Sequence, residues 1–384
     1  MKKVFSFVLS LSSVFFLLSC NFGNNENNKI SDYLDVSNHN YSQESPYTNI
    51  SMAEEDLNNY SSSLASQEPT SSNQDYCGCD VHSSSSNNSE QSYKTETILE
   101  YYYGNNGSLT QWDQSMAVYG DKAFLFLDTT AETINNAGYS FVVIDLVTKE
   151  IVFKGNTPTR DCHNNNAQFL DTFYSSNDQY PLLLLSRGDY PSSEEAGKCY
   201  IVRVTEQSNE FKLTIIKTIS CTLEQAKYNG SWVTDRCGNL FLYTMTIGDW
   251  KTPETDGNKF VLYRFNMFNP LNTTDIVLSE NDVISSSTFD YCILQGADGF
   301  NGKLYMPIGH YTKLNGIPTS SDPNIIAVVN PINGLIEETI PSDAMENEGA
   351  SIFNGKLYVS SKNVTGTSET MSPTFKIQSI ELGL

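Results

Sequence analysis

The feature that most constrains the fold is a short apolar run that recurs five times after the first quarter of the chain. The runs begin at positions 122, 180, 239, 303 and 356, so successive starts lie 53 to 64 residues apart. Turn residues precede each run, most clearly Asn301-Gly302 and Asn354-Gly355, and Asn-Gly is the strongest short-range sign of a hairpin. Such repetition indicates that one supersecondary unit is used several times.

Further apolar runs complete four short strands in each unit except the last, which has three. One apolar run, which contains small residues, lies before the turn; in the fourth unit it covers 295–297. The other runs follow the turn, and the last strand of the third unit is placed at 276–278. Four short strands per unit, repeated radially, are typical of a propeller blade. The sequence therefore predicts an all-β fold, a β-propeller of five four-stranded blades. Two packed β-sandwiches, or a ring of six or seven blades, are the alternatives.

The fifth unit has no fourth strand, whereas a strand-like run at 97–102 precedes the first unit and has no unit of its own. We predict that this N-terminal run closes the ring as the outer strand of the last blade. The propeller domain then spans 96–384.

The N-terminus has the pattern of an export signal. Lys2 and Lys3 precede an apolar stretch over 4–18, and Ser19 and Cys20 follow. This arrangement resembles the lipobox of bacterial lipoproteins, in which the cysteine thiol receives a diacylglycerol. The resemblance implies a signal peptide over 1–19, an acylated (palmitate-type) Cys20 and a membrane anchor. An ordinary signal peptide is the alternative.

Residues 20–95 are rich in Ser and Asn and lack hydrophobic periodicity. A segment of this composition cannot bury enough apolar surface to offset its ordering entropy. We predict a disordered, lipidated tether. The Cys77 to His82 stretch contains two cysteines and a histidine, but so short a motif is not specific for a metal, and no metal site is predicted.

Composition excludes several functions. The formal net charge is −22, whereas a nucleic-acid binder needs a basic surface. No phosphate-binding loop, nucleophile elbow or His-Glu-x-x-His motif occurs, so no cofactor is predicted.

The expected partners are a lipid membrane, a small molecule or glycan, and an envelope or uptake-system protein.

The long connections all fall between second and third strands or between blades, and these emerge on one face of a propeller. Loops on a rigid scaffold commonly carry function, so we predict a ligand site on this loop-rich face. An aromatic side chain with a few convergent polar groups suits a small polar ligand. The candidate ligand-binding residues are His163, Gln168, Arg187, Trp232, Trp250, Gln295, His310 and Glu348.

Two units resemble enzymes. The fourth unit, from Gln295 through Leu304-Tyr305 to Gly334, resembles a blade of the five-bladed glutaminyl cyclases, but Met306 stands where that family has a glutamate. The segment from Glu348 to Tyr358 is similar to an inner strand of five-bladed glycosidases, where a glutamate is the general acid. That chemistry needs a second carboxylate, and Asp113, Asp161, Asp235 and Asp298 are the candidates.

The whole arrangement resembles surface lipoproteins with propeller domains from Bacteroides-type bacteria. We predict an extracytoplasmic lipoprotein, anchored to the outer membrane or cell surface, that binds a small polar ligand, glycan or chelate without catalysis. A sugar- or peptide-acting enzyme that uses carboxylates at the channel mouth is one alternative. A scaffold for an envelope complex is another.

Overall fold

A computed structural model describes the chain from residue 93 onward, with gaps. The described ranges are 93–102, 113–128, 138–159, 163–188, 195–228, 230–246, 259–272, 274–289, 295–308, 311–314, 317–320, 324–342, 344, 346–365 and 372–383. They contain strands β1 to β23 and almost no helix. Among the residues described, no helix has the length and apolar character needed to traverse a lipid bilayer.

Five blades of four strands each form a ring, as predicted, and a fifth strand joins the sheet of blade 2 at its outer edge. Listed from the axis outward, their strands are as follows: blade 1, β2 (Asp113–Tyr119), β3 (Lys122–Leu127), β4 (Phe141–Asp145) and β5 (Glu150–Gly155); blade 2, β6 (Asn166–Phe169), β7 (Leu183–Ser186), β8 (Cys199–Gln207) and β9 (Glu210–Cys221); blade 3, β10 (Ser231–Thr234), β11 (Asn239–Met245), β12 (Phe260–Asn266) and β14 (Ser285–Phe289); blade 4, β15 (Asp298–Phe300), β16 (Lys303–Ile308), β19 (Ile325–Asn330) and β20 (Leu335–Pro341); blade 5, β21 (Glu346–Phe353), β22 (Lys356–Thr365), β23 (Ser372–Glu381) and β1 (Thr95–Tyr102).

The two ends of the propeller meet in blade 5. The N-terminal strand β1 pairs antiparallel with the C-terminal strand β23, which places Leu99 opposite Ile377 and Tyr101 opposite Phe375. Closure by the segment at 97–102 is therefore confirmed, and the strand begins two residues earlier, at Thr95.

Apolar side chains fill all five interfaces between neighbouring blades. Strands such as β3 are buried on both faces, which explains their nearly continuous apolar sequence. Representative members of the five interface clusters are Phe124 and Leu185 (blades 1 and 2), Trp232 and Leu184 (2 and 3), Phe241 and Leu304 (3 and 4), Ile326 and Leu357 (4 and 5), and Leu125 and Ile377 (5 and 1). The last pair shows that the ring is closed.

The inner strands approach one another closely around the axis. Ser351 Oγ accepts a hydrogen bond from the Val118 N–H at 2.8 Å, which joins blade 5 to blade 1. A parallel backbone bridge joins Gly296 of blade 4 to Gly349 of blade 5. A Cβ on Gly349 would lie 2.7 Å from the backbone nitrogen of Met116, so only glycine fits there.

Two strand assignments in the sequence analysis were wrong. Residues Ile276–Leu278 form β13, but this strand pairs in parallel with β9 at the outer edge of blade 2. The outer strand of blade 3 is Ser285–Phe289, a serine-rich segment with little apolar signal that is held by backbone pairing to β12. In blade 4 the inner strand is Asp298–Phe300, so the run at 295–297 ends just before it.

The turns between inner and second strands confirm the hairpin prediction. Asn301 and Gly302 have φ values of 49° and 73°, and Asn354 and Gly355 have 50° and 73°. Both pairs thus adopt the left-handed backbone that a two-residue hairpin requires.

The additional hairpin of β17 (Tyr311–Leu314) and β18 (Ile317–Ser320) lies between β16 and β19.

Closure of the ring predicts a stability effect at Leu99, which is 6% exposed and packs in the interface of blades 5 and 1. Leu99→Ala should lower the free energy of unfolding by about 2–5 kcal/mol, because it leaves a cavity in a packed interface. Chemical denaturation measures this. Val147→Ala, at a side chain that is 74% exposed, should change little. Equal stabilities of the two variants would contradict closure by β1.

Candidate functional site

Polar residues surround the loop-rich end of the axis. The connections between blades enter at this end, so the residues with which the chain enters each blade face it. Buried polar residues here are Asp113, Gln114 and Ser115 of blade 1, Asn164, Asn165 and Asn166 of blade 2, Ser231 of blade 3, and Glu346, Asn347 and Glu348 of blade 5. Gln295, half-buried, precedes the inner strand of blade 4. We call these residues the polar mouth.

Blade 5 supplies the charged part of the polar mouth. The register of β21 against β22 shifts between Asn347 and Gly349, so Glu348 is the extra residue of a β-bulge. Lys362 lies opposite Glu346, with its Nζ 2.8 Å from Glu346 Oε2, and it also forms an ion pair with Glu348. The side chain of Glu348 is 1% exposed. One lysine therefore serves two buried carboxylates.

Burial and neighbouring charge alter the ionisation of this cluster. Burial, followed by the charges of Glu346 and Asp113, raises the pKa of Glu348 well above its usual range, and Lys362 opposes the shift. Burial lowers the pKa of Lys362, but Glu346 and Glu348 outweigh it and the net pKa is raised. The cluster thus combines a retained ammonium with a carboxyl that holds its proton unusually well. Perturbed groups of this kind are typical of functional sites.

The structure brings two predicted site residues together at the polar mouth. Gln295 Nε2 donates to Glu346 Oε1 at 3.2 Å, two residues from Glu348. The backbone oxygen of Gln295 accepts a hydrogen bond from the Tyr243 hydroxyl at 2.9 Å, which ties the segment to blade 3. Gln295 and Glu348 therefore belong to one hydrogen-bonded and charged cluster.

His163 and Arg187 lie beside the mouth at the start of blade 2 and at the end of its second strand. His163 Nδ1 is 3.5 Å from Asp128 Oδ1 of blade 1, and its side chain is 41% exposed. Arg187 Nη1 is 3.5 Å from Glu195 Oε2. Both residues are on the predicted face, and these two contacts are with carboxylates other than Glu348.

Trp232 and Gln168 have structural contacts and no exposed surface. The indole Nε1 of Trp232 donates to Gly197 O at 2.8 Å within the interface of blades 2 and 3. Gln168 Oε1 accepts from the Thr234 N–H at 2.8 Å. Because the polar atoms of both side chains are paired with structural partners, we leave both out of the proposed site.

Gln168 takes part in a second buried network, near the opposite end of the axis. Its Nε2 donates to Asp298 Oδ1 at 2.7 Å. Asp298 Oδ2 accepts from the Ile352 N–H at 2.6 Å and lies 3.1 Å from Arg236 Nη2. Burial raises the pKa of Asp298, and Arg236 opposes this. These contacts connect blades 2, 3, 4 and 5, which indicates a structural role.

Other predicted residues lie outside the described ranges: Cys20, Trp250 and His310, together with the Cys77 to His82 motif and the tether up to residue 92. Of the described cysteines, Cys199 and Cys221 are free thiols, whereas Cys237 is disulfide-bonded. Within the described ranges, no group of three or more His, Cys, Asp or Glu side chains is arranged to hold a metal ion.

Sequence reasoning missed Glu346 and Lys362. Glu346 and Glu348 are two residues apart, and in a strand such residues share a face. Lys362 sits on the adjacent strand at the position paired with Glu346. An acidic pair at the start of an inner strand, with a lysine on the next strand, was the available signal.

No protein-family profile and no curated protein sequence matches the chain. Solved structures that resemble it include the glutaminyl cyclase of Myxococcus xanthus, with TM-score 0.38 and 11% identity over 75% of this chain and 97% of that one. The GH93 α-L-arabinofuranosidase of Fusarium graminearum, in complex with arabinobiose, has TM-score 0.33 and 10% identity over 74% and 97%. The WD40 propeller domain of Doa1 has TM-score 0.30 and 11% identity over 68% and 63%. Likeness at this level assigns no activity.

The raised pKa of Glu348 predicts a pH-dependent stability. Above the unfolded-state value of about 4.3, the unfolded chain releases a proton that the native carboxyl still holds. The contribution of Glu348 to the free energy of unfolding therefore falls as the pH rises from the unfolded-state pKa to the raised native pKa. Glu348→Gln has no proton to lose, so its Tm should fall less with rising pH than that of the unsubstituted protein.

The matched control is Glu381→Gln, on the same blade at a side chain that is 54% exposed. It should keep the unsubstituted slope of Tm against pH. An unchanged slope in Glu348→Gln would contradict the assignment.

Proposed function

We propose that this propeller is a binding protein whose polar mouth holds a small polar ligand without catalysis. The observation that carries the proposal is the buried cluster of Glu346, Glu348 and Lys362. Burying ionised groups costs free energy, and well-packed apolar residues often serve stability equally well. A cluster of this kind at the loop-rich end of the axis is best accounted for by the ligand that it recognises.

The rigid setting supports the same function. Glu346 and Glu348 lie on an inner strand that contacts blades 1 and 4, and Lys362 lies on the strand paired with it. Side chains held on strands are positioned more accurately than side chains on loops, and this reduces the ordering cost of binding.

The proposal predicts ligand-dependent stabilisation. A panel of glycans, siderophore-type chelates and small polar metabolites is to be screened against the Cys20→Ser chain by thermal shift. A ligand present at about 100 times its Kd should stabilise the native state by about 2.7 kcal/mol. Glu348→Gln should abolish the shift and Glu381→Gln should retain it. A shift that survives in Glu348→Gln would place the ligand elsewhere, and no shift across the panel would count against binding.

We also propose that the protein is a lipoprotein that acts outside the cytoplasm. The lipobox-like Ser19-Cys20 and the Ser/Asn-rich tether up to residue 95 support this. Two or three acyl chains on one residue give stable anchoring, whereas one chain is marginal.

Acylation is tested in a bacterial host with an alkyne-bearing fatty acid. The unsubstituted chain should incorporate the label and sediment with membranes. Cys20→Ser should lose the label and enter the soluble extracytoplasmic fraction. Labelling of Cys20→Ser, or recovery of the unsubstituted chain in the soluble fraction, would contradict the anchor.

An enzyme is the second candidate, favoured by the raised pKa of Glu348 beside the charge of Asp113. A carboxyl whose pKa is raised holds its proton more readily, which suits general acid catalysis, as in glycoside cleavage. Mass spectrometry of any ligand found in the panel, after incubation with the protein, separates the two functions. Chemical conversion that falls about 10²–10⁴-fold in Glu348→Gln supports the enzyme. An unaltered ligand supports the binding protein.

A further inference from the structure

We propose that a disulfide joins Cys237 of blade 3 to Cys77 or Cys79 of the N-terminal segment, at the end of the axis opposite the polar mouth. Three features of the chain support this bond. They are the place of Cys237 in the fold, the distances that exclude other cysteines, and the direction from which the N-terminal segment enters β1.

Cys237 lies in the turn between β10 and β11, at the end of the axis that carries the hairpin turns between inner and second strands. We call this the short-turn end. The Cys237 N–H donates to Asp235 Oδ1 at 2.8 Å within the turn. A Cβ built on Gly302 would lie 3.8 Å from Cys237 Sγ, so the turns of blades 3 and 4 adjoin.

The partner of Cys237 is a cysteine outside the described ranges. Cys237 is disulfide-bonded, whereas the other two described cysteines, Cys199 and Cys221, are free thiols. The remaining cysteines of the chain are Cys20, Cys77, Cys79, Cys162 and Cys292.

Cys162 is too far from Cys237. It adjoins His163, which lies beside the polar mouth. Strand β6 runs from that end toward the short-turn end, and its Gln168 is hydrogen-bonded to Thr234, just before the turn that holds Cys237. The four residues of β6 span about 10 Å, whereas the Cα atoms of a disulfide lie at most about 7 Å apart.

Cys292 is excluded in the same way. It lies three residues from both Phe289 and Gln295, which are at the loop-rich end of blades 3 and 4. Strand β11 runs from that end to the turn with Cys237, a distance of about 20 Å for seven residues. Three residues cover at most about 11 Å, so Cys292 stays farther from Cys237 than a disulfide allows.

The division of the chain into compact units selects among the remaining cysteines. The boundary between two units falls between Gln74 and Asp75. Cys77 and Cys79 belong to the unit that contains the propeller, whereas Cys20 belongs to the other. The two cysteines of the Cys77 to His82 motif are therefore the favoured partners.

The path of the chain into β1 supports the same partners. β1 begins at Thr95, near the turn at 354–355, so the chain enters blade 5 at the short-turn end. Just before it, the Tyr93 hydroxyl donates to a carboxylate oxygen of Glu338 in blade 4. The N-terminal segment thus comes from the direction of blade 4, whose inner turn adjoins Cys237.

The intervening chain is long enough for the bond. Cys79 precedes Tyr93 by 14 residues and Cys77 precedes it by 16. A random coil of this length has a mean reach of roughly 20 Å, which is sufficient to pass from one blade to the next.

Such a bond closes a loop that contains the whole of β1 and gives the N-terminal segment a second attachment beside the pairing of β1 with β23. A cross-link across a long loop removes conformational entropy from the unfolded chain and so stabilises the native state. If the protein is anchored through Cys20, a point that rests on the proposed function, the bond attaches the membrane spacer at the end opposite the polar mouth.

Peptide mapping without reduction tests the pairing. The purified unsubstituted chain is equilibrated in a glutathione redox buffer, so that the result does not depend on the compartment, then alkylated and digested with trypsin. Cleavage after Lys and Arg puts Cys77 and Cys79 together on peptide 30–94 and every other cysteine on a peptide of its own. Peptide 237–251 should be joined to peptide 30–94 and should be released by reduction.

Variants identify the partner. Cys77→Ser/Cys79→Ser should lose the linked peptide and leave Cys237 open to alkylation, and the two single variants show which cysteine is used. Cys221→Ser is the matched control, because it removes a free thiol, and it should keep the linked peptide.

Thermal unfolding gives a second readout. Cys237→Ser and Cys77→Ser/Cys79→Ser should lower the Tm by about the same amount, because both lack the same bond, and combining them should lower it no further. Additive losses would contradict the pairing.

Three mapping results would overturn the inference. They are linkage of peptide 237–251 to the peptide of Cys162 or Cys292, alkylation of Cys237 in the unsubstituted protein, and a bond between Cys77 and Cys79. None of them bears on ligand binding at the polar mouth, which the thermal-shift panel judges separately.

Discussion

The structure depends on the antiparallel pairing of the first and last strands of the propeller. Blade 5 has three strands of its own, and β1 supplies the fourth by pairing with β23. The same pairing places Leu99 in the apolar interface between blades 5 and 1. Without it, blade 5 would expose an unpaired edge and the ring would be held there by fewer apolar contacts.

Closure of the ring brings polar side chains together in two networks, one near each end of the axis, and the two networks differ in how their charges are paired. Near the short-turn end, Asp298 accepts from Gln168 and Ile352 and pairs with Arg236, so its charge is compensated from three other blades. At the loop-rich end, Glu348 shares one lysine with Glu346. The first network is explained by stability alone. The second places two buried glutamates on one lysine, and it is the cluster on which the proposed binding function rests.

Local chemistry made much of the fold predictable. The apolar runs and the Asn-Gly turns at 301–302 and 354–355 depend on nearby residues, and the structure confirms both the blades and the left-handed turns. The errors occurred where distant pairing overrides local character. Apolar Ile276–Leu278 joins blade 2, whereas serine-rich Ser285–Phe289 completes blade 3. Backbone hydrogen bonding does not require an apolar sequence, so composition did not reveal the second strand.

The candidate site was predictable in part, for the same reason. Glu348 and Gln295 stand out as polar residues on or beside the predicted inner strands, and that much follows from their position in the repeating units. Three features arise from contacts that the local sequence does not show. Lys362 pairs with both glutamates, the charge of Asp113 in blade 1 acts on Glu348 in blade 5, and Trp232 is buried between blades. The sequence by itself determined the number and type of units and where the ring closes, because these depend on local periodicity. Tertiary structure alone decided which charges meet at the axis, because ring geometry sets the distances between strands of different blades.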